Sequence, residues 1–160
     1  MISAKIEMKP FRQTSGYCGP ASLKIILEYY GIKKSEKNLA KLTGATRAEG
    51  VQAAGIVAAC KNLGFEAIVK DFADFKDIRY SLNKKNPVLV QWFLEEEGHW
   101  SVVVDIDREN IYLQDPHLGM IRAFRLKTFK KIWFDFLPPY PKKENMITRR
   151  MIVVSDNRIT

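Results

Sequence analysis

The sequence predicts an α+β fold. Apolar runs with helical punctuation fill the first half, and short alternating or densely apolar runs fill the second. Two of those later runs flank a polar turn and read as a hairpin. Helices followed by an antiparallel sheet define the class. At 160 residues, the expectation is one domain over residues 1–160 with a sizeable core.

The first helix is the apolar run Leu23-Lys24-Ile25-Ile26-Leu27-Glu28-Tyr29-Tyr30, stopped by Gly31. Pro20 suits its first turn, where a missing N–H costs nothing. Ser35 can cap a short second helix from Glu36 to Leu42, ended by Gly44. Thr46-Arg47-Ala48-Glu49 has capping-box spacing and leads into a third helix over 51–63 that ends at Gly64. Small residues along that helix suggest close packing on a neighbour.

Strands follow. Phe65-Glu66-Ala67-Ile68-Val69 alternates, and Pro87-Val88-Leu89-Val90-Gln91-Trp92-Phe93 is apolar enough for a central strand. Trp100 to Ile106 and Ile111 to Gln114 form the hairpin around Asp107–Asn110. Leu126 to Trp133 reads as a short helix on the sheet surface. Pro138-Pro139-Tyr140-Pro141 reads as a stiff loop, and Met151 to Val154 as a last strand.

Composition narrows the function classes. Two cysteines make no disulfide framework. Two histidines, two cysteines and scattered acids offer no metal-ligand spacing, so no cofactor is expected. The N-terminus lacks the apolar core of a signal peptide, and no uncharged run is long enough to span a membrane. A cytoplasmic location is the expectation. The net charge is +8, but its paired lysines accompany no nucleic-acid-binding signature and read as a solvated face.

Cys18 carries the chemistry. It stands at or just before a helix N-terminus, where unpaired N–H groups and the helix dipole favour an anion such as a thiolate. Taken alone, such a cysteine is more often one packed under a helix start. A nucleophilic cysteine also needs a base. His99 opens the first hairpin strand after the polar break Glu95–Gly98, and Asp115 closes the second strand. A carboxylate beside the imidazole would orient it and stabilise its charged form. Residues 99 and 115 share a sheet face only with an odd-length loop near Asp107 or a bulge. A four-residue loop at 107–110 alone would separate them. His117 reads as an exposed turn histidine and the alternative base. Cys60 reads as a small core residue, and the three tryptophans as core.

Together Gln13, Cys18-Gly19-Pro20-Ala21-Ser22-Leu23, Tyr30-Gly31, Leu63-Gly64-Phe65, Pro87-Val88, His99-Trp100-Ser101-Val102-Val103, Asp115-Pro116, Gly119, Phe129 and Trp133 resemble the papain-like C39 peptidases, closest to their stand-alone group. The family cleaves double-glycine leader peptides. The resemblance implies a Cys18–His99–Asp115 triad, with Gln13 as oxyanion donor beside the Cys18 N–H. Its Gln-to-Cys spacing is shorter than in the transporter-linked members, and Gly16 could let the loop compensate. The implied activity is peptide hydrolysis through an acyl-enzyme, with small residues such as Gly-Gly before the cut. The implied partner is a separate exporter. An acyl or peptidyl transferase and a non-catalytic peptide-binding module remain the alternatives.

Overall fold

The computed structural model describes residues 5–138 and 142–158. Its helices are α1 (Cys18–Tyr29), α2 (Glu36–Thr43), α3 (Ala53–Asn62), α4 (Phe75–Asn83) and α5 (Leu126–Ile132). Its strands are β1 (Phe65–Lys70), β2 (Val88–Leu94), β3 (Glu97–Ile106), β4 (Asn110–Asp115), β5 (Met120–Arg125), β6 (Phe134–Phe136), β7 (Met146–Thr148) and β8 (Arg150–Asp156). Six of them form an antiparallel sheet in the order β1-β8-β2-β3-β4-β5, while β6 and β7 pair separately. The α+β class is therefore observed.

Helices cover both faces of the sheet. Leu23, Ile26 and Leu27 of α1 and Ile56 of α3 pack with Leu89, Trp100, Val102 and Ile152. On the other face, Ile78 and Leu82 of α4 and Phe129 of α5 pack with Val88, Val90, Trp92 and Val103. Burial on both faces explains the unbroken apolar run of β2, which lies inside the sheet.

The helix ends largely follow the sequence signals. Ser35 Oγ accepts the Asn38 N–H at 3.0 Å, and Gly44 ends α2 in the left-handed region. The third helix is a correction. It starts at Ala53, because Thr46–Glu49 closes a turn instead: Thr46 Oγ1 accepts the Glu49 N–H, and Thr46 bridges Gly50. Thr46 therefore uses its capping oxygen on a tight loop. The close packing expected of α3 is present, since a Cβ on Gly55 would overlap the Thr43 carbonyl of α2.

Several elements carried no sequence expectation. α4 has a capping box between Asp74 and Asp77. β5 is a sheet edge, with Met120 and Ile121 exposed. The expected polar break at Glu95–Gly98 is shorter than the sequence suggested, since Glu97 and Gly98 pair with Leu94 and Phe93 within the β2–β3 ladder. The last strand lies between β1 and β2. Of the proline-rich loop, Pro139, Tyr140 and Pro141 fall outside the described residues.

The β3–β4 pairing decides which side chains meet. Ile106 pairs Ile111 and Asp105 pairs Tyr112, around a turn closed by Asp107 N–H to the Asn110 carbonyl at 3.0 Å. That even-length turn alone would put His99 and Asp115 on opposite faces. A bulge at Val104 then shifts the register, so that Val103 pairs Leu113 and Val102 pairs Gln114. Continued one step, this register sets Asp115 opposite Ser101, two residues from His99 and on the same face. The bulged Val104 carbonyl is not left idle; it accepts the Ile6 N–H at 2.7 Å.

Candidate active site

α1 begins at Cys18 with no side-chain cap and no acid in its first turn. The first-turn N–H groups of such an end remain available to an anion. Gly19 is buried; a Cβ there would overlap Val51. Ser22 anchors the helix to β3 by donating to the Trp100 carbonyl at 3.2 Å. These contacts hold the thiol at the mouth of a cleft of about 430 Å³, whose walls include Gln13, Cys18, His99, His117, Gln91 and Asp135.

His99 is buried, and its Nε2 lies 2.5 Å from Asp115 Oδ1. The Cys18 thiol is close enough to strengthen the ring's hold on its proton. With Nε2 engaged, Nδ1 is the ring nitrogen left for the sulfur. Burial pulls the His99 pKa down, but the hydrogen bonds and charges of Asp115 and Cys18 outweigh it and raise the value to about 9. The ring therefore carries both protons at neutral pH.

Asp115 has no exposed surface. Its Oδ1 also accepts from Ser101 Oγ at 3.3 Å and the His117 N–H at 3.0 Å, and its Oδ2 accepts from Arg122 Nη1 at 3.0 Å. Burial pushes this carboxyl up, yet His99, the His117 N–H and Arg122 together hold it down at about 2. It is an anion across the neutral range.

Three supporting contacts were not anticipated. Ser101 accepts from Trp92 Nε1 at 3.0 Å while donating to Asp115, which links the indole to the carboxylate. The pattern His99-Trp100-Ser101 does place Ser101 on the face of His99. Arg122 comes from β5, and its guanidinium also lies over the Trp92 ring. His117 contributes its backbone N–H; its exposed ring stands edge-on to His99, 5.8 Å between centroids.

Gln13 lines the same cleft. Its N–H donates to the Pro116 carbonyl at 2.8 Å, which ties the loop before α1 to the turn after Asp115. Its side-chain Nε2 makes a long contact, 3.4 Å, to the Thr14 carbonyl. Gly16 has φ +86°, and a Cβ there would overlap the Arg47 carbonyl. Cys60, by contrast, is fully buried in the core, where desolvation pushes its thiol up to about 12.

A cysteine at a helix N-terminus, facing a histidine–carboxylate pair across a cleft, on this fold, is the architecture of a cysteine peptidase. The chain belongs to the Peptidase C39 family, whose model matches residues 8–137. An uncharacterized protein of Methanothermobacter marburgensis is 34% identical over 125 residues, which cover 76% of this chain and 80% of that protein. In three dimensions the chain is similar to the peptidase domain of Streptococcus ComA, a bifunctional ABC transporter involved in quorum sensing. The TM-score is 0.74 at 22% identity, covering 94% of this chain and 99% of that one. It is also similar to a double-glycine-motif protease from an AMS/PCAT transporter, solved with its leader peptide. There the TM-score is 0.70 at 20% identity, over 94% and 92% of the two chains. No helix among the described residues is long and apolar enough to cross a membrane.

Proposed function

We propose that this cysteine peptidase hydrolyses a peptide bond through Cys18, His99 and Asp115, with Gln13 as oxyanion donor. The observation that carries the reading is the chain of contacts from the α1 N-terminus through His99 to a buried, ionised Asp115.

Cys18, its proton already on His99, attacks the scissile carbonyl as the thiolate of that ion pair, forming a C–S bond as the carbonyl π electrons move to oxygen. The charge that develops on the carbonyl oxygen is met by the Cys18 N–H and the Gln13 amide. The long Gln13–Thr14 contact is readily exchanged for this stronger, charged acceptor. His99 then protonates the leaving amine as the tetrahedral intermediate collapses to a thioester. Water, deprotonated by His99, releases the acid. Asp115 holds the ring orientation and stabilises the imidazolium.

A double-glycine-motif protease solved with its leader peptide shares this fold. The family and this likeness support small residues such as Gly-Gly before the cut and a leader peptide as substrate, with an exporter as partner. The test is mass spectrometry of double-glycine peptides incubated with wild-type protein and with Cys18→Ala. Cleavage after Gly-Gly by the wild type alone supports the reading. An amide product that appears only with an added amine identifies a transferase. Binding without any product identifies a recognition module.

A further inference from the structure

The cleft holds a second polar group that the reaction above does not use. Asp135, from β6, is buried against Gly98, where a Cβ would overlap its carboxylate. Gln91 Nε2 donates to Asp135 Oδ2 at 2.6 Å, and the Phe136 N–H donates to Oδ1 at 2.7 Å. Gln91 is 3% exposed, lines the cleft, and its Oε1 has no partner among the described residues. A carboxylate and an orphaned carbonyl oxygen thus stand together at the cleft wall, beside the strand that carries His99.

The surrounding cations compensate this group only in part. Arg150 acts on Asp135 through space, but its guanidinium is engaged by both oxygens of Asp71, at 2.7 and 2.9 Å. Glu97 and Glu49 also line the cleft, whose cations are His99, paired to Asp115, and Arg47, whose Nε donates to the Ser15 carbonyl. Desolvation raises the Asp135 carboxyl above its ordinary range, a penalty that a bound cation would relieve.

We infer that Gln91 and Asp135 form a subsite for a primary ammonium group of the peptide bound in this cleft. The inference rests on the reading of the cleft as a peptide site. Every group offered there is an acceptor, and an ammonium brings donors and the matching charge. Gln91 acts as a positioning residue, holding the carboxylate through Nε2. An ammonium held by a carboxylate has no free lone pair, so this group is a recognition element of the substrate and not an attacking amine.

The test separates recognition from hydrolysis. Calorimetry on the Cys18→Ala protein uses acetylated, amidated peptides built around Gly-Gly, with lysine or norleucine at successive positions on each side. A further arm uses the neutral peptide with a free N-terminus. One lysine position, or the free N-terminus, is expected to bind about tenfold tighter than its neutral counterpart, in line with a charge-assisted hydrogen bond. Adding Asp135→Asn removes that preference, read as the ratio of charged to neutral peptide affinity within the variant. A purely structural tie between β2 and β6 would not discriminate in this way. The arm that shows the preference identifies a side-chain or a terminal ammonium. No preference at any position, no binding of any peptide, or a preference that survives Asp135→Asn overturns the inference. Failure of the wild type to cleave any peptide overturns the hydrolase reading alone, since the binding measurement does not depend on it.

Discussion

Asp115 accepts four hydrogen bonds with no exposed surface, and this explains why one carboxylate can govern the cleft. An amide in its place would still accept from His99, but its NH2 would face Arg122 or the ring as a second donor. NMR titration of His99 is expected to give a pKa of about 9 in the wild type. In Asp115→Asn the value falls, because burial then acts with less opposition. Peptidase activity in that variant drops yet exceeds that of Cys18→Ala, since the amide still orients the ring. A His99 titration unchanged by Asp115→Asn would contradict the coupling. Gln13 is testable separately. If its bond forms mainly in the transition state, Gln13→Ala lowers kcat by about 10²–10³-fold with substrate binding little changed. Iodoacetamide still alkylates Cys18 in that variant, because Gln13 does not take the thiol's proton. Full activity in Gln13→Ala would remove it from the mechanism.

At the level of elements, the loop before α1 and the bulge in β3 assemble the site. Gly16 lets the loop from Gln13 to Cys18 turn tightly against Arg47. Gly16→Ala meets both a left-handed backbone and the Arg47 carbonyl. It is expected to displace Gln13 and reduce kcat while Cys18 alkylation continues; wild-type kcat in that variant would show that the loop tolerates the shift. The positions of Cys18 and Asp115 were legible because each sits at an element end, marked by Pro20 and Gly31 around α1 and by the hairpin; His99 was legible from the same hairpin, although it lies two residues inside β3. The register joining them was not legible, because Val103 and Val104 are equally apolar and nothing in sequence marks which one bulges. The bulged carbonyl is satisfied by Ile6, about a hundred residues away along the chain, a partner that local pattern does not reveal. Arg122 escaped notice because β5 is an edge strand whose exposed Met120 and Ile121 blur the alternation. α4 escaped because only Ile78, Ser81 and Leu82 of its nine residues are buried. Asp135 belongs to a three-residue strand, shorter than any periodicity can register.

Across the whole molecule, the His99–Asp115 pair makes stability depend on pH in a window of its own. The native His99 pKa is raised to about 9 from 6.5, so the stability it confers is fully present below pH 6.5 and is lost as pH rises through 9. Asp115 is lowered to about 2 from 3.8, so its contribution is present above pH 3.8 and is lost as pH falls through 2. The acid side is shared with Asp77, Asp107 and Asp156, which are also lowered. On the alkaline side, Cys60 and the raised tyrosines add to the decline as pH nears and passes their ordinary values of 9.0 and 10.0. Of His99, Asp115 and Cys60, His99 is therefore the one whose ordinary and native values bracket the interval from pH 6.5 to 9. The Tm of the wild type is expected to decline across that interval, and His99→Gln to flatten the decline. The same interval bounds the chemistry. The imidazolium that protonates the leaving amine is depleted above about pH 9, so kcat/KM should fall on that side. A wild-type Tm that is level from pH 6.5 to 9, or an equal slope in His99→Gln, would mean that the pair does not hold its proton through folding as the geometry of the cleft requires.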